Sequence, residues 1–368
     1  MSDGGHSGRH VLAPILPTRV RRAYRGGRLL DELEGRLPAG DSNRPEDWIA
    51  STTAARNPGL PLEVGEGRTR VLRPGVGVTT LAALIEEDPV FHLGEEHIGG
   101  FGTALGFLAK LLDSAMRLHV QVHPTSLFAR ERLGMPYGKL EVYYVLAIRP
   151  GTEGRLWLGF QHSPGREEWR RIVAGQDLAA MAACFDPIPV RPGEAWIVPG
   201  GMPHAIGEGV LMVEVMEPSD LVVRCEFERE GVVVPEAARF MGRGLDFCLD
   251  VFDYTSRTVG EIAALCRLNP GRVAEGPGWV LERLVGADRT SCFEIERLTA
   301  SSHCGLIGDG RFSVVIQTRG RGLISSGSQS HAMCCGQACF VAASAASTVF
   351  SPGEPDCEWL VCRPAVRQ

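Results

Sequence analysis

Three short segments in the middle of the chain restrict its fold more than any other feature, because their polar side chains can meet only if strands bring them together. Gln121 and His123 are two residues apart, so on an extended strand both side chains project from the same face. Glu141 and His204 must then arrive from other strands of the same sheet. The sequence therefore predicts a β-rich fold that gathers four polar side chains in one place.

These four side chains have the composition of a transition-metal site. Two imidazoles, one carboxylate and one amide oxygen form a donor set that suits zinc, and manganese, iron and cobalt fit the same donors. Such a set leaves room for water or substrate at the metal, which is typical of catalytic rather than structural sites. We therefore predict one catalytic metal, zinc first, at Gln121, His123, Glu141 and His204.

Length and composition limit the class of protein. A chain of 368 residues is long enough for two domains, and 45 glycines with 24 prolines indicate many turns, as in β-rich folds. The formal charge of −6 and the scattered arginines give no basic surface for nucleic acid. The sequence contains no apolar run of about 18 residues that could span a membrane. We expect neither nucleic acid nor membrane as a partner.

Cysteine usage and the N-terminal segment indicate a cytoplasmic protein. The apolar stretch 11–17 is short and broken by prolines, which argues against a signal peptide. The 11 cysteines are odd in number and show no C-x-x-C spacing, so reduced thiols are expected. Cys334, Cys335 and Cys339 form the densest group, but no histidine with finger-like spacing follows them, and a second metal site there is the weaker alternative.

Local patterns divide the chain into segments. Apolar residues at helical spacing predict helical inserts within 79–118, 165–184 and 236–252. The stretch 269–278 is rich in proline and glycine and marks the predicted boundary between domains at 1–265 and 280–368.

Strand-like runs fill much of the remainder. Those after the boundary are short and separated by turn signals, which predicts a small antiparallel sandwich. The predicted strands are 119–123, 142–148, 155–158, 188–190, 195–198, 210–215, 293–298, 312–316, 323–325, 339–342 and 359–362.

Four motifs together resemble those of the class I mannose-6-phosphate isomerases of the cupin superfamily. They are Gln121-Val122-His123-Pro124, Gly138-Lys139-Leu140-Glu141, Pro199-x-Gly201-x-x-His204-Ala205-Ile206-Gly207, and Glu214 followed by Ser219-Asp220 and Arg224. The flanking segments 81–89, 108–113 and 190–196 agree with this resemblance. The similarity covers roughly residues 20–255 well and the remainder in outline.

The resemblance implies a mainly β fold, a double jelly roll of the cupin type with helical inserts and a metal site in the N-terminal jelly roll only. It implies an aldose–ketose isomerase that holds one zinc and converts mannose 6-phosphate to fructose 6-phosphate, or a related sugar, through a cis-enediol. Arg224 would stabilise the negative charge of the enediolate, and Lys139, Glu214 and Asp220 would handle protons, with the base left open among them. Trp48 would form a wall facing the sugar.

The chain departs from the family at the positions associated with the substrate phosphate. His119 stands where the family usually has serine, and Glu230 where it commonly has lysine or arginine, with Arg229 one place earlier. We expect His119 and Arg229 to bind substrate in a different geometry. The early W-G-G turn is also altered and reads Arg25-Gly26-Gly27.

Two alternatives from other functional classes stay open at this stage. One is a metal-dependent cupin that catalyses another reaction, such as epimerisation or isomerisation of a non-phosphorylated sugar. The other is a non-catalytic sugar-binding cupin, which would have no evident need for Lys139 and Arg224 beside intact metal ligands. The sequence does not indicate an oligomeric state.

Overall fold

The computed structural model of the chain describes residues 10–57, 59–73 and 75–366. The first nine residues, which belong to the predicted N-terminal segment, lie outside the described residues. Four antiparallel sheets of six, five, nine and four strands and one two-stranded hairpin make up the β structure of this part of the chain. The prediction of a mainly β, double jelly-roll fold is confirmed.

The N-terminal half contributes sixteen of the strands. They are β1 Leu12–Leu16, β2 Arg19–Val20, β3 Glu46–Ala50, β4 Arg70–Arg73, β5 Gly77–Thr80, β6 Leu108–Asp113, β7 Gln121–Val122, β8 Glu141–Ile148, β9 Arg155–Leu158, β10 Ile188–Pro189, β11 Ala195–Val198, β12 His204–Ile206, β13 Val210–Met216, β14 Val223–Arg224, β15 Glu228–Arg229 and β16 Val232–Val233.

Two of the sheets face each other and enclose the region where the predicted ligands lie. One has the order β11-β8-β13-β6-β3-β2 and the other β10-β9-β12-β7-β14. Strand β13 shows the alternation that orients the first sheet: Val213 and Val215 pack into a core shared with the C-terminal half, while Glu214 points the other way, toward the second sheet. The polar side chains of the first sheet therefore collect between the two sheets.

The C-terminal half forms the other two sheets. Its strands are β17 Gly271–Gly276, β18 Trp279–Val285, β19 Phe293–Ala300, β20 Cys304–Ile307, β21 Ser313–Arg319, β22 Arg321–Ser326, β23 Gln329–Cys334, β24 Ala338–Val341, β25 Ser347–Pro352 and β26 Cys357–Pro364. The nine-stranded sheet runs β17-β18-β19-β26-β21-β24-β1-β4-β5, and the four-stranded sheet runs β20-β25-β22-β23. A core that includes Leu298, Ile324, Phe350 and Trp359 lies between them.

The first strand of the chain belongs to the sheet of the last strands. Leu12–Pro14 pair with Cys339–Val341 of β24, and Ile15 and Leu16 pair with Val71 and Arg70 of β4. The Pro- and Gly-rich stretch 269–278 contains β17, which forms a hairpin with β18. The division into domains at 1–265 and 280–368 stays a prediction.

Helices connect the strands and cover their edges. They are α1 Arg28–Leu33, α2 Leu81–Glu87, α3 Pro89–Leu93, α4 Glu95–Phe101, α5 Ser126–Phe128, α6 Arg166–Gly175, α7 Leu178–Ala182, α8 Leu245–Cys248 and α9 Val259–Cys266, with a π-helical turn at Ala129–Leu133 and 3₁₀ turns at Glu236–Ala238 and Leu249–Val251. The predicted helical insert at 165–184 is confirmed by α6 and α7. Within the described residues, no helix is both long and apolar enough to cross a membrane.

The helical prediction for 79–118 is correct only in its first part. Helices α2 to α4 end at Phe101, and Leu108–Asp113 is a strand. All six residues of this strand are buried, because Leu111 packs into one core and Leu112 into another. A strand buried on both faces loses its two-residue alternation, so the leucine spacing there imitated a helix.

The predicted helix at 236–252 is also largely wrong. Only two 3₁₀ turns and the four-residue α8 form there, because Gly242 and Gly244 adopt φ values of 72° and 81° and interrupt the helix. The structure instead has helix α9, which the sequence analysis did not predict. Thr258 and Glu261 form a capping box at its start.

The buried carboxyl group of Asp47 on β3 has a raised pKa, and this predicts that the stability of the fold depends on pH. Burial raises the pKa of Asp47 to about 7, whereas an unfolded aspartate titrates near pH 3.9. Between these values the folded state binds more protons, so stability falls as the pH rises. We expect the free energy of unfolding to drop by up to about 4 kcal/mol more in the wild type than in Asp47→Asn between pH 4 and 8. Urea titrations across this range measure it, and parallel curves would contradict the assignment.

Candidate active site

Strands from two facing sheets bring the four predicted ligands together. Gln121 on β7 is the direct cross-strand partner of His204 on β12, and His123 follows β7 immediately. Glu141 begins β8 of the opposite sheet. The spacing of Gln121 and His123 therefore acts as the sequence analysis predicted, with one correction: Glu141 comes from the facing sheet and not from the same sheet.

The ligand atoms lie close enough to hold one ion. Nε2 of His123 is 3.0 Å from Oε1 of Glu141, and Nε2 of His204 is 3.4 Å from Oε2 of the same carboxylate. The ligand atoms of these three buried residues all lie within 4.8 Å of one another. The side-chain nitrogen of Gln121 is 3.3 Å from Nε2 of His204, and rotating this amide by 180° would present its oxygen instead.

The hydrogen bonds around the histidines turn both Nε2 lone pairs toward this centre. Nδ1 of His123 donates to the carbonyl of Leu221 at 2.7 Å, and Nδ1 of His204 donates to the carbonyl of Met202 at 2.9 Å. Burial lowers the pKa of His123 to about 4, so the ring is neutral. Its Nε2 is buried and has no hydrogen-bond partner among the described residues. Neutral imidazoles fixed through Nδ1 are the form that binds metals.

One pocket joins this centre to most of the other predicted residues. Its lining includes His119, Gln121, Lys139, Glu141, Glu214, Asp220 and Arg224. Lys139 is buried, with Nζ 3.2 Å from Oε1 of Glu141. Arg224 is the direct cross-strand partner of Gln121, which places its backbone beside the metal ligands. Asp220 is exposed at the pocket.

Glu214 is a buried carboxyl group in this pocket whose pKa is raised by its surroundings. It is 2% exposed, and Oε2 lies 3.1 Å from Nζ of Lys110. Burial raises the pKa of Glu214 to about 8 against the attraction of Lys110, and the negative charge of Glu141 adds to the increase. A carboxyl with this pKa can both accept and return a proton near neutral pH.

Two of the predicted substrate-binding residues do not line the pocket. The Trp48 ring is 2% exposed and packs with Val20, Leu108 and Met216, so its position does not support a wall facing the sugar. Arg229 lies on the β15–β16 hairpin outside the lining, with Nη1 3.9 Å from Glu226. His119 does line the pocket, and its Nε2 is 3.2 Å from the carbonyl of Val232.

The sequence analysis missed four pocket residues that form one network, with Glu46 at its centre. Oε1 of Glu46 accepts from the Tyr24 hydroxyl at 2.6 Å and from Nζ of Lys110 at 3.0 Å. Oε2 accepts from Nε of Arg22 and from Nε1 of Trp48, both at 2.8 Å. We call the four pocket residues Arg22, Tyr24, Glu46 and Lys110, together with Trp48, the Glu46 network. A lysine inside the apolar run 108–112 was the available signal, because a buried lysine requires a buried carboxylate.

Fold and site together define a protein of the cupin type, with two jelly rolls and one buried His–Glu–His cluster among the described residues. No sequence model of a known protein family matches the chain. The curated relatives and solved structures that the chain resembles are nevertheless named mannose-6-phosphate isomerases.

The chain is 34% identical to a mannose-6-phosphate isomerase of Streptococcus mutans over 147 residues, which cover 39% of this chain and 44% of the relative. It is 32% identical to a probable mannose-6-phosphate isomerase of Bacillus subtilis over 210 residues, covering 56% and 58%. The matched regions thus span about half the length of these curated relatives.

Similarity to solved structures extends over nearly the whole chain. A mannose 6-phosphate isomerase from Bacillus subtilis superposes with a TM-score of 0.71 at 18% identity, covering 95% of this chain and 99% of that one. A zinc-bound mannose 6-phosphate isomerase gives 0.70 at 16% identity, covering 97% and 100%. These structures share the fold, and the resemblance to the class I mannose-6-phosphate isomerases is confirmed.

Proposed function

We propose that this chain is a zinc-dependent aldose–ketose isomerase that interconverts mannose 6-phosphate and fructose 6-phosphate. The observation that carries the proposal is the convergence of two imidazoles on Glu141 inside a pocket that also holds Lys139, Glu214 and Arg224. The names of the curated relatives and the zinc-bound neighbour support the reaction and the metal. The 11 free thiols support a cytoplasmic location.

The donor set fits zinc. Nε2 of His123, Nε2 of His204 and the carboxylate of Glu141 would be ligands, with the Gln121 amide oxygen as the fourth. When bound, zinc polarises the carbonyl and hydroxyl oxygens of the sugar. The carbonyl groups of Leu221 and Met202 hold the two imidazole rings in the required orientation.

Isomerisation moves a proton between C1 and C2 of the sugar, and Glu214 is suited to carry it. Its carboxylate takes the proton from C2 of the aldose and returns it to C1, while the hydroxyl proton on O2 passes to O1. Lys110 holds Oε2 of Glu214 in place throughout. Arg224, a cation on the strand beside Gln121, stabilises the negative charge that develops on the sugar oxygens. Lys139 is positioned to donate a hydrogen bond to the same oxygens.

Solvent isotope exchange tests the reaction and its base. We expect the zinc-loaded protein in D₂O to convert mannose 6-phosphate to fructose 6-phosphate that carries deuterium at C1. Proton NMR measures the incorporation. Glu214→Gln should lower kcat by roughly 10²- to 10⁴-fold and keep the full metal content. The control variant Glu208→Gln changes an exposed residue and should show the wild-type rate of isotope exchange. An unaltered rate in Glu214→Gln would assign the base to another residue.

The same experiment decides between the alternatives. A metal-loaded protein that shows no exchange with any aldose or aldose phosphate would leave the sugar-binding cupin as the explanation. Exchange at a sugar carbon without formation of a ketose would instead indicate an epimerase.

A further inference from the structure

Arg22 lines the proposed active-site pocket, although neither the sequence motifs nor the proton-transfer step uses it. Its guanidinium group is held on two sides. Nε donates to Oε2 of Glu46 at 2.8 Å, and Nη1 donates to Oδ1 of Asn57 at 3.0 Å. The Trp48 ring packs against it, with Cζ 5.0 Å from the ring centroid. Arg22 is therefore fixed before any ligand arrives.

The third nitrogen of this guanidinium group is available to a ligand. Within residues 10–57, 59–73 and 75–366, Nη2 of Arg22 has no acceptor, and the side chain is 10% exposed. A fixed arginine with a free N–H group facing a pocket loses little entropy when it binds an oxyanion. Glu46 does not compete for such a ligand site, because its two oxygens already accept four hydrogen bonds.

A second guanidinium group lies in the same pocket. Arg224 donates Nη1 to the carbonyl of Ala238 at 2.7 Å, and no carboxylate of the described residues lies within ion-pair distance of it. The charges of Arg22 and Arg224 act on each other, and the exposed Asp220 acts on both. Glu46 forms an ion pair with Arg22 and not with Arg224, and Asp220 is exposed. Two guanidinium groups in this mostly buried pocket therefore favour the binding of an anion.

We propose that Arg22 binds the phosphate group of the sugar phosphate through Nη2, while Arg224 adds to the positive potential of the pocket, and that Arg22 so makes this chain selective for phosphorylated substrates. The inference rests on the proposed isomerase function. A phosphate monoester carries nearly two negative charges at neutral pH and accepts several hydrogen bonds, and arginine is well suited to it. Before the phosphate binds, the negative charge of Asp220 partly offsets the two cations.

The test compares one pair of sugars across matched variants of the zinc-loaded protein. Arg22→Gln should lower kcat/KM for mannose 6-phosphate by roughly 10- to 100-fold and that for free mannose by less than about threefold. Arg21→Gln is the control, since Arg21 binds Glu66 outside the pocket. Equal losses on both sugars in Arg22→Gln, or no loss, would overturn the proposal, as would a wild type that prefers free mannose.

Two further measurements separate this proposal from a folding defect and from failure of the isomerase function. Asn57→Ala frees Nη1 of Arg22 without removing the charge, and should give a smaller loss in kcat/KM that is again confined to the phosphorylated sugar.

Calorimetric titration with inorganic phosphate needs no turnover. Binding to the wild type and to Arg21→Gln, with at least tenfold weaker binding to Arg22→Gln, is expected even if neither sugar is converted. Equal phosphate affinity in all three proteins would refute the role of Arg22.

Discussion

His123→Ala is expected to abolish the bound metal and the proposed isomerase activity together. The imidazole supplies one of three ligand atoms that lie within 4.8 Å of one another. Without it, the buried carboxylate of Glu141 loses the ring nitrogen that lies beside it. Zinc content measured by mass spectrometry should fall from one equivalent per chain to near zero. The rate of mannose 6-phosphate isomerisation should fall by roughly a thousandfold or more.

An exposed histidine provides the matched control for this variant. His162 lies 3.3 Å from Asp186 at the surface, and His162→Ala should keep both metal and activity. Retention of one tightly bound zinc in His123→Ala would show that the ligand set has been assigned wrongly. Retention of activity without zinc would contradict the proposed chemistry.

Glu46→Ala is expected to have the largest effect on stability of any pocket substitution. Glu46 is 2% exposed and accepts hydrogen bonds from the cations Arg22 and Lys110. Removing the carboxylate leaves the buried Arg22 without an ion-pair partner among the described residues, and leaves Lys110 with Glu214 alone. Breaking a buried ion pair in this way costs about 3–5 kcal/mol. Urea denaturation of the variant and the wild type measures this difference.

Two comparisons identify the origin of the loss. Glu86→Ala removes an exposed carboxylate and should change stability by less than about 0.5 kcal/mol. The double variant Glu46→Ala, Arg22→Met should recover part of the loss, because it removes the cation that Glu46→Ala leaves without an ion-pair partner. A loss in Glu46→Ala no larger than that in Glu86→Ala would mean that the Glu46 network contributes nothing to the fold.

The proposed metal ligands could be predicted from sequence because each lies in a short, recognisable motif. Gln121 and His123 need only a strand to share a face, and the motifs around Glu141 and His204 indicated the other two positions. Strands such as Arg155–Leu158 and Ala195–Val198 were predicted to the residue, since short apolar runs between turn signals mark them.

The Glu46 network could not be predicted in this way. Its members come from strands β3 and β6 and from the segment after β2, and only the folded sheet makes them neighbours. Strand β6 was itself mistaken for a helix, which hid the alternation that turns Lys110 toward the pocket and Leu111 away from it. Trp48 lies on the same face of the sheet as Glu46 and Lys110, but the sequence could not show that neighbouring side chains bury its ring.

The pairing of strand β1 with strand β24 affects how the chain can fold during synthesis. The backbone N–H of Leu12 also donates to Oε1 of Gln329, 317 residues later. At translation rates of about 5–20 residues per second, the first strand waits roughly 15 to 60 s for these partners. Until then one edge of an apolar strand stays open, and an open edge is prone to pair with other chains. Correct folding of this protein during synthesis should therefore require that aggregation is slower than translation, or that a chaperone covers the first strand.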